Sequence, residues 1–226
     1  MKIKAIEHGL SLASGGPPRS KGLHMSDLYN AYYRKSDPKR YDKRDKDGNS
    51  TPLDMVKMEE GLAFEEILEP VLAARLLGQR PKEQKVRINR KGEIDPKGAI
   101  VLYFSPDYIF FINDESVLGE FKYTRYSSKG APRGPKFAKW ITQIKLYCYV
   151  LGLNVARLYV LYLNGDYKPP TAKLLAWELR FTDDELEEEW NIIMRHAREE
   201  GLLNGTTGKE SDKADVDARR RTRNHS

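Results

Sequence analysis

The chain has 226 residues, 39% of them hydrophobic and 32% charged, a composition that buries a core and excludes a wholly disordered chain. No apolar run is long enough to cross a bilayer, and the single cysteine, Cys148, excludes an intramolecular disulfide and any four-cysteine metal or iron–sulfur site. The formal net charge of +6 favours a polyanionic partner.

In chain order, residues 1–23 read as a loop broken by Gly15-Gly16-Pro17-Pro18, with no apolar signal core, which predicts a cytoplasmic protein (host cytoplasm if phage-encoded). Ser26 is placed to cap a short helix through Leu28 and Tyr32, and residues 36–51 read as an exposed charged loop. From Thr51 to about Leu77 the spacing predicts a long amphipathic helix, kinked near Pro70 and stopped at Gly78. Strand patterns follow over 84–89, 97–104, 108–112 and 116–123, the last two paired across a turn at Asn113-Asp114. A Gly/Pro/basic loop over 127–135 leads to a helix over 136–151, closed by Gly152. Two more strands, 155–163 and 171–181, form a hairpin, and a final helix capped by Thr182 with Glu185 runs to about Glu200. This order gives one α/β domain over 1–203, with 1–50 an N-terminal extension. Residues 204–226 form a basic tail without apolar periodicity, which predicts disorder.

Charge is segregated. From Phe121 to Lys145 there are seven cations (Lys122, Arg125, Lys129, Arg133, Lys136, Lys139 and Lys145) and no acid. Each phosphate contact needs a local cation, so the segment reads as a nucleic-acid surface. Tyr123, Tyr126, Phe137 and Trp140 interleave with these cations, and such rings can stack on bases of a single strand.

The residues that suggest chemistry are Asp107, after Ser105-Pro106, and the triplet Glu120-Phe121-Lys122. On a strand, Glu120 and Lys122 share one face while Phe121 takes the other. Asp107 opens the neighbouring strand, so its carboxylate can meet Glu120. Two carboxylates and an amine suit phosphodiester hydrolysis with Mg²⁺ or Mn²⁺, one or two ions, which take oxygen ligands and activate water. Taken alone, each piece reads equally well as a surface turn or surface ion pair. Glu65 falls at the edge of the apolar stripe formed by Phe64, Ile67, Leu68, Val71 and Leu72, where a carboxylate is costly unless paired. Gln143 sits in an apolar helix face made by Trp140, Leu146, Tyr147, Val150 and Leu151 and needs hydrogen-bond partners there.

Gly61-x-x-x-Glu65, Pro106-Asp107, Glu120-x-Lys122 and Gln143-x-x-x-Tyr147, in that order, resemble the RecB-like branch of the PD-(D/E)XK nuclease superfamily, including the RecB nuclease domain and the CRISPR-associated RecB-like exonucleases. The resemblance covers about residues 55–165. It implies a restriction-endonuclease-like core, a central mixed β-sheet flanked by helices, in a DNA exonuclease acting on single strands or ends. Glu65, Asp107 and Glu120 would be metal ligands with the Phe121 carbonyl, Lys122 the catalytic lysine, and Gln143 and Tyr147 the auxiliary pair. His24 and Ser26 resemble the N-terminal segment that approaches DNA, beside Arg125, Lys129, Arg133, Lys136, Lys139 and Trp140 in the basic segment. Many relatives have histidine at the position of Glu65, and the CRISPR-associated ones usually carry four cysteines for an iron–sulfur cluster, which this chain cannot build.

Two other readings share these residues: a structure- or sequence-specific endonuclease, and a non-catalytic nucleic-acid-binding module. No Gly-rich phosphate loop is present, so ATP-driven unwinding would come from a partner, a helicase or recombination protein. The small size fits a phage or mobile-element recombination or repair nuclease.

Overall fold

The structure is a computed structural model that describes residues 20–42, 60, 63–64, 70–71, 74, 79–112, 114–168 and 171–204. In chain order the elements are β1 (Leu23–His24), α1 (Met25–Ser36), α2 (Pro38–Tyr41), β2 (Gln84–Ile88), β3 (Ile100–Phe104), β4 (Tyr108–Ile112), β5 (Glu115–Thr124), α3 (Ala138–Leu151), β6 (Val155–Tyr162), β7 (Lys173–Arg180) and α4 (Asp183–Glu199). A short 3₁₀ turn, Leu202–Asn204, follows.

The fold is α/β, with two mixed sheets where the sequence suggested a single central one. One has strand order β1-β3-β2 and the other β4-β5-β6-β7. The chain crosses between them at Ser105-Pro106-Asp107, a link in which Pro106 cannot donate to a ladder, so β3 and β4 do not pair as neighbours. In the larger sheet β4 and β5 are antiparallel, β5 and β6 parallel, and β6 and β7 antiparallel. The central strand β6 is apolar along nearly its whole length, as a strand covered on both faces must be. On β7 the burial alternates, so its outer face meets solvent.

One core joins both sheets to the helices: Leu102 and Phe104 of β3, Leu118 of β5, Leu158 and Val160 of β6, Ile144 and Leu146 of α3, and Trp190 and Ile193 of α4. A smaller cluster on the opposite face of the second sheet holds Phe64, Phe110, Phe121 and Tyr159. Thus β5 divides two apolar layers, and consecutive residues face different ones. Phe64 stacks on Tyr123 at 6.0 Å, on the face of β5 away from Glu120.

Local chemistry explains most of the boundaries. Helix α3 ends at Gly152, whose left-handed φ of 66° lets Leu153 N–H reach the Cys148 carbonyl. Its start is two residues later than the periodicity suggested, because Gly134 to Phe137 form a turn closed by Phe137 N–H on the Gly134 carbonyl. The buried side also differs. Thr142, Ile144 and Cys148 are buried while Trp140 and Val150 are only half-buried, since α3 packs against both α1 and α4 as well as the sheet. Helix α4 is capped as its sequence indicates, with Glu185 N–H on Thr182 Oγ1 at 3.2 Å and Thr182 N–H on the Glu185 carboxylate at 2.9 Å. Helix α1 begins one residue before Ser26, capped at His24, because Asp27 accepts the His24 N–H at 3.0 Å. Most of the helix expected over 51–77, and the tail from 205, lie outside the described residues, although Glu60, Ala63, Pro70, Val71 and Ala74 are each helical. No helix among the described residues is long and apolar enough to cross a membrane.

Candidate active site

The site forms where β4 stops accompanying β5. The last paired positions are Tyr108 and Gly119, so the edge of β5 beyond Gly119 loses its strand neighbour. Asp107 takes over: its Oδ2 accepts the Phe121 N–H at 2.8 Å, where a backbone carbonyl would otherwise be needed. A strand residue directs its N–H and C=O to the same edge, so the Phe121 carbonyl faces the side that Asp107 occupies.

Glu120 and Lys122 point to the other layer, toward α3. Lys122 Nζ donates to Glu120 Oε2 at 2.8 Å and lies 3.8 Å from Asp107 Oδ2. From α3, Gln143 Nε2 donates to the same Glu120 oxygen at 3.1 Å. Tyr147, one turn further along α3, is buried beside them. Groups from three parts of the chain therefore meet, Asp107 before β4, Glu120 and Lys122 on β5, and Gln143 on α3, with Tyr147 on the next turn of that helix.

The electrostatics of this cluster are unusual. Glu120 is 0% exposed, and its Oε1 has no hydrogen-bond partner among the described residues. Burial first, and the Asp107 carboxylate second, push the Glu120 carboxyl from 4.5 up to about 8, against the pull of Lys122. For Lys122, burial favours the neutral amine, but Glu120 and Asp107 outweigh it and hold the ammonium above the usual lysine range. The Tyr147 hydroxyl is raised well above its ordinary value by burial, then by Tyr29 and the two carboxylates. A carboxylate pair of which one member is fully buried with an unpartnered oxygen is a hard, oxygen-rich donor set, and its chemistry fits a small divalent cation. No group of three or more such ligands occurs among the described residues, and Glu65 lies outside them.

No family model matches this chain, and no curated protein does. Among solved structures it is similar to SSO0001 at 16% identity and a TM-score of 0.49, over 85% of this chain and 81% of that one. It is also similar to LHK-Exo, solved in complex with dAMP, at 12% identity and a TM-score of 0.43, over 85% of this chain and 94% of that one. Neither likeness is close enough to carry an activity across.

The remaining expected residues lie around this centre in varied settings. Lys129, Arg133 and Lys136 are exposed, and Lys136 lies 5.2 Å from the centre of the Tyr126 ring. Arg125 is ion-paired with Glu60, which also accepts the Tyr123 hydroxyl at 2.6 Å. Of the four rings expected to meet bases, only Tyr126, at 44%, is well exposed. Phe137 and Trp140 pack on each other at 5.2 Å, and Tyr123 packs on Phe64. His24 is buried, with Nε2 3.0 Å from the Ser20 carbonyl and its ring against Tyr103, and Ser26 is half-buried in the first turn of α1. Sequence reading passed over Tyr29 and Arg34 of α1, both close enough to act electrostatically on site lysines. The available signal was the Met25, Leu28, Tyr29 spacing, which aims α1 at the core.

Proposed function

We propose that this chain is a divalent-metal-dependent DNA nuclease of the RecB-like PD-(D/E)XK kind, cleaving single strands or DNA ends as an exonuclease. The observation that carries it is the meeting of Asp107, Glu120 and Lys122, with a buried Glu120 oxygen left unpartnered. A surface ion pair needs neither the burial nor the second carboxylate.

Asp107 and Glu120 would hold the cation, with the Phe121 carbonyl as a neutral oxygen; Glu65 would enter as a further ligand on the sequence resemblance alone. Mg²⁺ or Mn²⁺ supplies Lewis acidity, lowering the pKa of a bound water and neutralising charge on the phosphoryl oxygens. Lys122, kept as an ammonium by its two carboxylates, donates hydrogen bonds and offsets charge on the phosphoryl group; it does not remove a proton. Gln143 fixes the Glu120 carboxylate, and Tyr147 supports Gln143. The attacking water forms its bond to phosphorus and gives up a proton to solvent, while the bond to the strand's leaving oxygen breaks and that oxygen takes a proton from solvent. The exposed cations from Lys129 to Lys136 hold the strand backbone.

The test is an Mg²⁺ or Mn²⁺ assay on end-labelled linear and closed circular DNA, single- and double-stranded. Wild type is expected to degrade linear strands. Asp107→Asn, which keeps an acceptor for the Phe121 N–H, and Lys122→Met are expected to lose ~10³-fold or more while remaining folded. Cleavage at the parental rate by either variant would remove the assignment. Cutting of closed circles would move the reading to an endonuclease, and DNA binding without cleavage or Mn²⁺ binding would make the chain a non-catalytic module.

A further inference from the structure

On α3 the residues Lys139, Gln143 and Tyr147 recur every four positions and so line one face, about 6 Å apart along the axis. Gln143 donates to Glu120, and Tyr147 is buried one turn further in. Lys139 extends this line one turn outward from the carboxylates. Its ammonium lies 5.9 Å from the centre of the Tyr29 ring on α1, and its side chain is half-buried between the two helices.

Among the described residues its surroundings lack a counter-ion. The charges acting on Lys139 are Arg34 and Lys122, both cations, and no carboxylate approaches it within 4 Å among the described residues. The contrast with its neighbours is informative. Lys145 on the same helix is paired with Glu189 at 3.3 Å, and Lys35, next to Arg34, is paired with Glu200. The ring of Tyr29 offsets only part of the cost of holding an ammonium away from water. Burial, then Arg34, then Lys122, pull the Lys139 amine below the ordinary lysine range. Together these observations describe a place that is improved by an anion.

Building on the nuclease reading, we propose that Lys139 and Arg34 seat a second phosphate of the substrate strand, one step along from the phosphate at Asp107 and Glu120. The occupant is a backbone phosphodiester of nucleic acid, because the cations of this site continue into the exposed basic loop of Lys129, Arg133 and Lys136. The seat sets the direction in which the strand leaves the reaction centre, past the N-terminal end of α3.

The experiment measures binding of a fluorescein-labelled oligothymidylate in EDTA, so that no cleavage occurs, across a series of salt concentrations. Lys139→Gln and Arg34→Gln are each expected to weaken binding about tenfold and to lower the salt slope by about one, with Lys139→Arg retaining most of the affinity. A single uncharged methylphosphonate moved along the oligonucleotide should weaken wild type at one position that costs Lys139→Gln nothing further. The melting temperature of Lys139→Gln should equal or exceed that of wild type, since a repelled cation is removed, so weaker binding does not reflect misfolding. An unchanged affinity and slope in Lys139→Gln, or a methylphosphonate profile identical to wild type, would overturn the proposal. A Lys139-dependent position found in a wild type that never cleaves leaves the seat standing while the nuclease reading fails. A wild type that cleaves but shows no such position does the reverse.

Discussion

At the scale of single residues, Glu120 is where the fold gives up stability for its site. In the metal-free chain its carboxyl is raised from 4.5 to about 8 by burial and by Asp107, so that below this value it holds a proton that the unfolded chain releases, whereas a bound cation would favour the carboxylate. The folded state therefore binds more protons across that window, and stability is lost as pH rises through it. In EDTA the melting temperature should fall between pH 5 and pH 8.5. Glu120→Gln should remove this part of the fall, and Mn²⁺ should restore wild type most strongly at the alkaline end. If wild type and Glu120→Gln showed the same pH profile, Lys122 would be neutralising the carboxylate fully. Lys139 carries the same tension with opposite charge: it costs the free protein and serves the complex.

At the scale of elements, the hairpin of β4 and β5 brings Asp107 to Glu120, and its tightest contact is at Gly119. A Cβ there would lie 2.1 Å from the Phe110 ring, which is itself held between Tyr108 and Tyr159. Gly119→Ala is therefore expected to cost about 1–3 kcal/mol by overpacking and to reduce cleavage as well, because β4 cannot move without carrying Asp107. Adding Phe110→Leu should recover much of both, measured by denaturant unfolding and by the nuclease assay; no recovery would place the strain elsewhere. Most elements were legible in the sequence where the signal is local. The β4–β5 hairpin shows in a compact apolar run followed by the turn at Asn113-Asp114, α3 in its glycine stop and α4 in its capping pair. Gln143 was legible as a polar group in an apolar face, and its partner proved to be Glu120. The split into two sheets was not legible, because strand patterns record burial and not the choice of neighbour. Nor was the pairing of Lys139 with Arg34, since it depends on how α1 meets α3.

For the whole molecule, the larger of the two apolar clusters spans both sheets and predicts all-or-none unfolding. Leu102 of β3 is fully buried in that core although it belongs to the sheet without the site. Leu102→Ala should cost about 2–5 kcal/mol, and tryptophan fluorescence and far-ultraviolet circular dichroism should still report one coincident transition. Two separated transitions would mean that the sheets fold as independent units. The core also reaches the turn before Ile94, where the Trp190 indole donates to the Gly92 carbonyl at 2.9 Å and ties α4 to the first sheet. Charge is arranged on the same scale, with the acids of α4 (Asp183, Asp184, Glu185, Glu187 and Glu188) exposed and the basic loop before α3 left to meet a polyanion. The link of Ser105, Pro106 and Asp107 has a further consequence for how this chain can change over generations. Connecting segments usually forgive an added or missing residue. Here a shift of one position would turn the Asp107 carboxylate away from the Phe121 peptide, so a change of length is expected to leave a protein that still folds but lacks the proposed chemistry. Descendants of this chain should therefore vary freely in their outer loops and keep this crossing at a fixed length.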